Sequence, residues 1–319
     1  MKITVSAPGK LMLFGEHTVV YGRPCIVTTV GQRMKVTVEL LDKPLFQLNA
    51  PDVQIESYQK PITNLGKGDI SKGVRFVEFA VKNFGIKKGG LKIITKSQFN
   101  SSFGFGSSSA ATVCVIKALS ELTGKKLSNK QIFDLSYKTV LDVQGKGSGF
   151  DVAAATYGGT LYFVTEGKTI KPLNLPSLPL IVGFTGIKAD TVTIVNQVLE
   201  KAKKYPNIIE NIYTAIQTIV ALARKSLIKE DFQTVGELMN FNQGYLVALG
   251  VSSQKLDNMI NLSKDAGAYG AKLSGAGVGD CMIALALPSK VKLVKNAITK
   301  AGGQIINVKT NVEGVRIEA

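Results

Sequence analysis

Residues 101–119 read SSFGFGSSSAATVCVIKAL, a cluster of glycines and serines that runs straight into an apolar, helix-like segment. Backbone N–H groups of a glycine-rich turn, backed by a helix N-terminus, form a site for phosphate oxygens. Gly104 and Gly106 would let the main chain approach an anion closely, and Ser107, Ser108 and Ser109 would set hydroxyls at the start of the helix. A tight turn with a capping serine accounts for the same composition, so the stretch by itself leaves both readings open. The common nucleotide motifs do not decide between them. In the nearest approach to GxxxxGK[ST], Gly167-Lys168-Thr169, Tyr162 stands where the first glycine belongs, and no G-x-G-x-x-G follows a strand in a βαβ unit.

Working outward, strand and helix patterns alternate. Residues 2–6 and 25–41 predict strands rich in Val, Ile and Thr. SKGVRFVEFAVKNF (71–84) carries apolar side chains at helical spacing, and GGLKIITKSQF (89–99) predicts a strand entering the opening loop. ATVCVIKALSELTG (111–124) predicts a helix ended by Gly124, and 129–143 a second helix capped by Ser128. That helix leads into another small-residue loop, QGKGSGFDVAAATYGG (144–159). Around 164–180, TEGKTIKPLNLPSLPL concentrates three prolines among polar residues and marks a boundary. Beyond it lie a strand, LIVGFTG, helical patterns over about 191–225 and 230–248, a third glycine loop, KLSGAGVGDCMIALAL, a helix over 290–301 and a strand, QIINVKT. The texture predicts an α+β protein in two domains, residues 1–170 and 171–319, without repeats or low-complexity segments.

With 319 residues, 45% of them hydrophobic, the chain can bury a substantial core without staples. Cys25, Cys114 and Cys281 have neither zinc-ligand spacing nor the even count of a disulfide scaffold, which favours a reducing interior. No apolar stretch reaches the ~18–20 residues of a membrane span, and the N-terminus lacks a signal-peptide core, so a cytoplasmic protein without membrane partners is expected. The net charge of +16 attracts anions, and a basic RNA-binding protein is one reading of it. The lysines are spread along the chain, however, tryptophan is absent, and no repeated aromatic-plus-basic pattern appears. A small anionic substrate explains the sign equally well, in a monomer or homodimer that does not bind nucleic acid.

The loops become decisive together. SAPGKLMLFGEHTVVYG (6–22), FGFGSSSAA (103–111) and KLSGAGVGDC (272–281) resemble, in order and spacing, the three motifs of the GHMP kinases, a family that includes galactose, homoserine, mevalonate and phosphomevalonate kinases. The likeness extends to GFDVAAATYGG (149–159) and GFTGIKADTVTIV (183–195), so it spans most of the chain. It implies a ribosomal-S5-domain-2-like N-terminal domain, a ferredoxin-like C-terminal domain, and ATP in the cleft. The triphosphate would lie on Gly104, Phe105, Gly106, Ser107, Ser108, Ser109 and Ala110.

Within the family, FGEHTVVYG resembles the mevalonate kinase branch. KGSGFD, the phenylalanine-led FGFGSSS and the Gly-Asp-Cys ending resemble the phosphomevalonate kinase branch. Three against one, the expectation is phosphorylation of 5-phosphomevalonate to 5-diphosphomevalonate, with phosphorylation of mevalonate as the alternative. The resemblance makes Asp151 the catalytic carboxylate, as base or as electrostatic anchor, although a helix cap would also suit an aspartate there. It places Lys10 by the transferred phosphoryl group. It makes Ser108 a ligand of Mg2+, a hard cation that favours oxygen. The acidic metal ligand of mevalonate kinases falls on Val140; Asp142 is the nearest carboxylate, but its angular position on the helix does not commit it to the site. Glu16, His17 and Thr191 match acceptor-side positions, Lys146 and Ser148 are placed to grip a phosphate on the acceptor, and Ser274, Gly275, Ala276 and Gly277 would close the cleft. Lys272 reads as a further phosphate contact, and Asp280 as a structural cap rather than a metal ligand.

Overall fold

In a computed structural model describing residues 1–86 and 89–318, the chain forms two sheets covered by nine α-helices among the described residues. The first sheet is built around two long strands, β1 (Lys2–Phe14) and β2 (Pro24–Leu41), paired antiparallel along most of their length. β3 (Leu45–Ala50) and β4 (Ile55–Pro61) form a hairpin after them, followed by α1 (Lys72–Phe84) and β5 (Gly90–Ser97). Three helices follow, α2 (Ser107–Leu122), α3 (Asn129–Gln144) and α4 (Phe150–Tyr157), and then a second hairpin, β6 (Thr160–Val164) and β7 (Thr169–Leu173). β2 serves two partners in succession: β6 pairs with its first residues, 24–28, and β5 with residues 34–41.

The second sheet begins at β8 (Leu180–Phe184). The chain then runs through α5 (Thr191–Lys204), α6 (Pro206–Ile228), α7 (Phe232–Ala248), α8 (Gln254–Asp265), β9 (Ala268–Ser274), β10 (Cys281–Ala286), α9 (Val291–Lys300) and β11 (Gln304–Ile306). Its strand order is β11-β8-β10-β9, all antiparallel. The chain then returns to the first sheet, where β12 (Arg316–Ile317) pairs with β1. Buried Arg33 holds this tail, donating to the carbonyls of Glu313 at 3.0 Å and Gly314 at 2.6 Å. The α+β class is as expected. Among the described residues, no helix is long and apolar enough to cross a membrane.

Local differences from the sequence reading have physical causes. The strand at the N-terminus continues far beyond residue 6, because the register shift at Pro8/Gly9 lets PGKLMLF keep pairing with β2. The helical run expected over 191–225 is two helices, since Pro206 lacks an N–H and starts α6 in its first turn. The Ser128 cap is a full capping box with Gln131. α2 is apolar on nearly all sides because it lies between the sheet and α1 and α3.

Candidate active site

The register shift in β1 is the root of the site. A Cβ on Gly9 would lie 3.0 Å from Val30 Cγ2 and 3.1 Å from Phe105 Cβ, so a side chain here would press on both where the 101–106 loop settles on the strand. The loop closes with a main-chain bond from Lys10 N–H to the Phe105 carbonyl, 3.0 Å. Phe105 itself is buried and packs beside Phe99 and Phe103, so it anchors the loop through its ring. Gly106 is the N-cap of α2 at φ +79°, a left-handed conformation, and a Cβ there would lie 3.4 Å from Lys10 Cε and 3.7 Å from Asp151 Cβ. Ser107 and Ser108 begin α2 half-buried, while Ser109 and Ala110 are buried.

α4 brings in the carboxylate. Its N-cap is Gly149, and Asp151 stands in the first turn without any capping bond, so the cap reading of this aspartate does not apply. Lys10 Nζ donates to the Gly104 carbonyl at 2.9 Å, lies 3.3 Å from Asp151 Oδ1, and sits 5.0 Å above the Phe150 ring. Asp151 Oδ1 is buried and has no hydrogen bond, while about a third of the side chain stays open. The glycine loop, the ammonium and the carboxylate thus form one constellation.

A second cluster adjoins it where β1 meets the other sheet. Glu16 and Lys272 form an ion pair with both side chains fully buried. Burial pushes the Glu16 carboxyl up and the Lys272 ammonium down, outweighing their mutual attraction. Ser274 Oγ accepts from Met12 N–H at 3.0 Å and donates to the Met12 carbonyl at 2.9 Å, clamping β9 to β1. His17 Nε2 lies 2.8 Å from the Ala276 carbonyl, which calls for a proton on that nitrogen. Burial lowers the imidazole pKa, and Nδ1 is left buried without a partner. Gly275 faces open space, whereas a side chain on Gly277 would collide with the Val251 carbonyl.

Other expected residues lie elsewhere. Asp142 is removed as a metal candidate: its carboxylate is held by Asn83 at 2.8 Å and Lys138 at 2.6 Å, on the face where α3 meets α1, and those contacts keep its pKa low. Val140 is buried. Lys272 is corrected from phosphate contact to buried partner of Glu16. Lys146 is exposed and donates to Asn196 on α5; Ser148 is buried, with its carbonyl accepting from Glu166 N–H; Thr191 is exposed at the start of α5. Asp280, read as a cap in preference to a metal ligand, lies against the phosphate-loop candidate: a Cβ on Gly104 would lie 2.6 Å from Asp280 Oδ2. An aspartate inside a run of glycines was the available signal.

The residues fit a nucleotide and its metal in part on geometry alone. Gly106 makes a cradle that a side chain would narrow, and Lys10 and the first-turn amides of α2 face it. Among the described residues, no group of three or more His, Cys, Asp or Glu is placed to hold a metal ion.

The family model described as GHMP kinases N terminal domain matches residues 72–159, and that described as GHMP kinases C terminal matches residues 223–304. A mevalonate kinase of Thermococcus onnurineus is 37% identical, covering 100% of this chain and 99% of that one. The crystal structure of the Methanococcus jannaschii mevalonate kinase is 27% identical with a TM-score of 0.81, covering 97% of this chain and 98% of that one. The Streptococcus pneumoniae phosphomevalonate kinase, solved with phosphomevalonate and AMPPNP, has the same TM-score of 0.81 but 20% identity, covering 97% and 99%, a likeness of fold alone. The expectation of a phosphomevalonate kinase is overturned by these identities. Its votes were also not independent. Asp280 abuts Gly104, and Cys281 Sγ lies 3.3 Å from the Phe103 carbonyl, so the FGFG and Gly-Asp-Cys features are one packing unit counted twice.

Proposed function

This chain belongs to the GHMP kinase family of ATP-dependent small-molecule kinases, and on that premise we propose that it phosphorylates mevalonate to 5-phosphomevalonate. The observation that carries the acceptor assignment is the Glu16–Lys272 pair. A phosphorylated acceptor needs a cation at its far end, yet the lysine of the third motif is buried and engaged by a carboxylate, and Lys146 is turned toward Asn196. The neutral His17 suits a hydroxyl-rich acceptor better than a second phosphate, and the buried Glu16 leaves no free cation behind it.

In this reading the amides from Gly106 to Ser109 and the dipole of α2 hold the ATP phosphates, while Ala110 N–H closes the first turn on the Gly106 carbonyl at 3.0 Å. Asp151 accepts the proton of the attacking hydroxyl, or orients it, from the open side of its carboxylate. Lys10, fixed by the Gly104 carbonyl and the Phe150 ring, stabilises the charge that develops on the transferred group. Ser108 is the hydroxyl ligand of Mg2+, which when bound neutralises phosphate charge. His17 and the Ser274–Gly277 turn form the acceptor end, with the buried Glu16–Lys272 pair supporting it from behind; Ser274 acts by clamping β9 to β1.

An ADP-release assay run in parallel with mevalonate and phosphomevalonate tests the reading. Turnover is expected with mevalonate, with kcat/KM for phosphomevalonate lower by roughly 100-fold or more. A preference for phosphomevalonate would overturn it.

A further inference from the structure

Two carboxylates touch the 104–106 loop, and they differ in what holds them. Asp151, beside Gly106, is matched by Lys10. Asp280, beside Gly104, is buried, and its oxygens are treated unequally. Oδ1 accepts from Ala189 N–H at 2.8 Å, whereas Oδ2 accepts no hydrogen bond among the described residues and lies against the loop. The backbone at Asp280 is at φ +54°, in the region that favours glycine. It is held there by main-chain bonds from Asp280 N–H to Ile187 O, 2.7 Å, and from Thr185 N–H to Asp280 O, 3.0 Å. The side chain is therefore locked beside the loop by both its main chain and its own Oδ1.

A fixed carboxylate oxygen next to a triphosphate is repulsive unless a cation lies between them. Lys10 is already shared between Gly104 O and Asp151. Neither Val140, buried, nor Asp142, paired with Lys138, can supply the acidic ligand. A hard divalent cation with several phosphate and water ligands takes one such protein oxygen readily. Resting on the kinase reading above, we propose that Asp280 Oδ2 is the carboxylate ligand of the Mg2+ that accompanies ATP, with Ala189 N–H fixing Oδ1 so that Oδ2 is presented to the metal.

The test measures binding without turnover: calorimetric titration of AMPPNP with Mg2+ and with EDTA, for the wild type, Asp280→Asn and Asp280→Gly. The glycine variant relieves the positive φ and guards against a folding artefact, checked by thermal denaturation. Wild type is expected to bind about tenfold tighter with Mg2+, and both variants to retain less than about a threefold gain, with metal-free affinity unchanged or stronger. If Asp280 instead donates a proton to a phosphate oxygen, the asparagine variant keeps the full Mg2+ gain, and the proposal fails. It fails equally if wild type gains nothing from Mg2+. Absence of any nucleotide binding by wild type would instead overturn the kinase reading itself.

Discussion

Asp151→Asn should lower kcat by roughly 10²- to 10⁴-fold while leaving AMPPNP affinity within about threefold of wild type. The substitution keeps the shape of the side chain and the first turn of α4, whose N-cap is Gly149 and which makes no use of the carboxylate as a cap. What it removes is the negative charge 3.3 Å from Lys10 Nζ and the acceptor facing the cleft. Lys10 retains its bond to the Gly104 carbonyl, so the nucleotide side of the site stays organised. The loss therefore belongs to the chemical step, and steady-state kinetics beside calorimetry separate the two. A kcat within about threefold of wild type would remove Asp151 from the reaction.

Lys272→Met should be the most destabilising of the single substitutions considered, by about 3–5 kcal/mol near neutral pH, because it leaves Glu16 buried without a counter-charge. The penalty has a pH signature. Without Lys272 to oppose it, desolvation holds the folded Glu16 carboxyl above its unfolded pKa, so the folded state binds the extra proton and the variant loses stability as pH rises. Urea denaturation at pH 5.5 and 8 should show the deficit against wild type growing toward the higher pH. Adding Glu16→Gln should restore much of the loss, since removing both charges leaves no unpaired ion. A single variant as stable as wild type at both pH values would contradict the view that this pair is sealed from water.

What could be read in the sequence, and what could not, divides along chain distance. The three glycine loops, the α+β texture and the Lys10–Asp151 pairing followed from local motifs and their resemblance to one family. The role of Lys272 did not, because its partner lies 256 residues away and β9 is so thoroughly covered that no alternation marks its inward face. Asp142 was ambiguous for a related reason. Its place on α3 is legible, but that α1 and Asn83 occupy that face is a tertiary fact. The β3–β4 hairpin went unread because β3 is only six residues long and its partner β4, polar and proline-ended at the sheet edge, carries a weak strand pattern. The acceptor was misjudged because motif similarity counts features one by one, whereas Phe103, Gly104, Asp280 and Cys281 are neighbours in space.

The most direct test of the account is a crystal structure with AMPPNP, Mg2+ and mevalonate bound. The triphosphate should lie on the amides of residues 106–109, with the γ-phosphoryl group between Lys10 and the mevalonate hydroxyl and Asp151 within hydrogen-bond reach of that hydroxyl. A nucleotide seated elsewhere, or a mevalonate hydroxyl remote from Asp151, would contradict it.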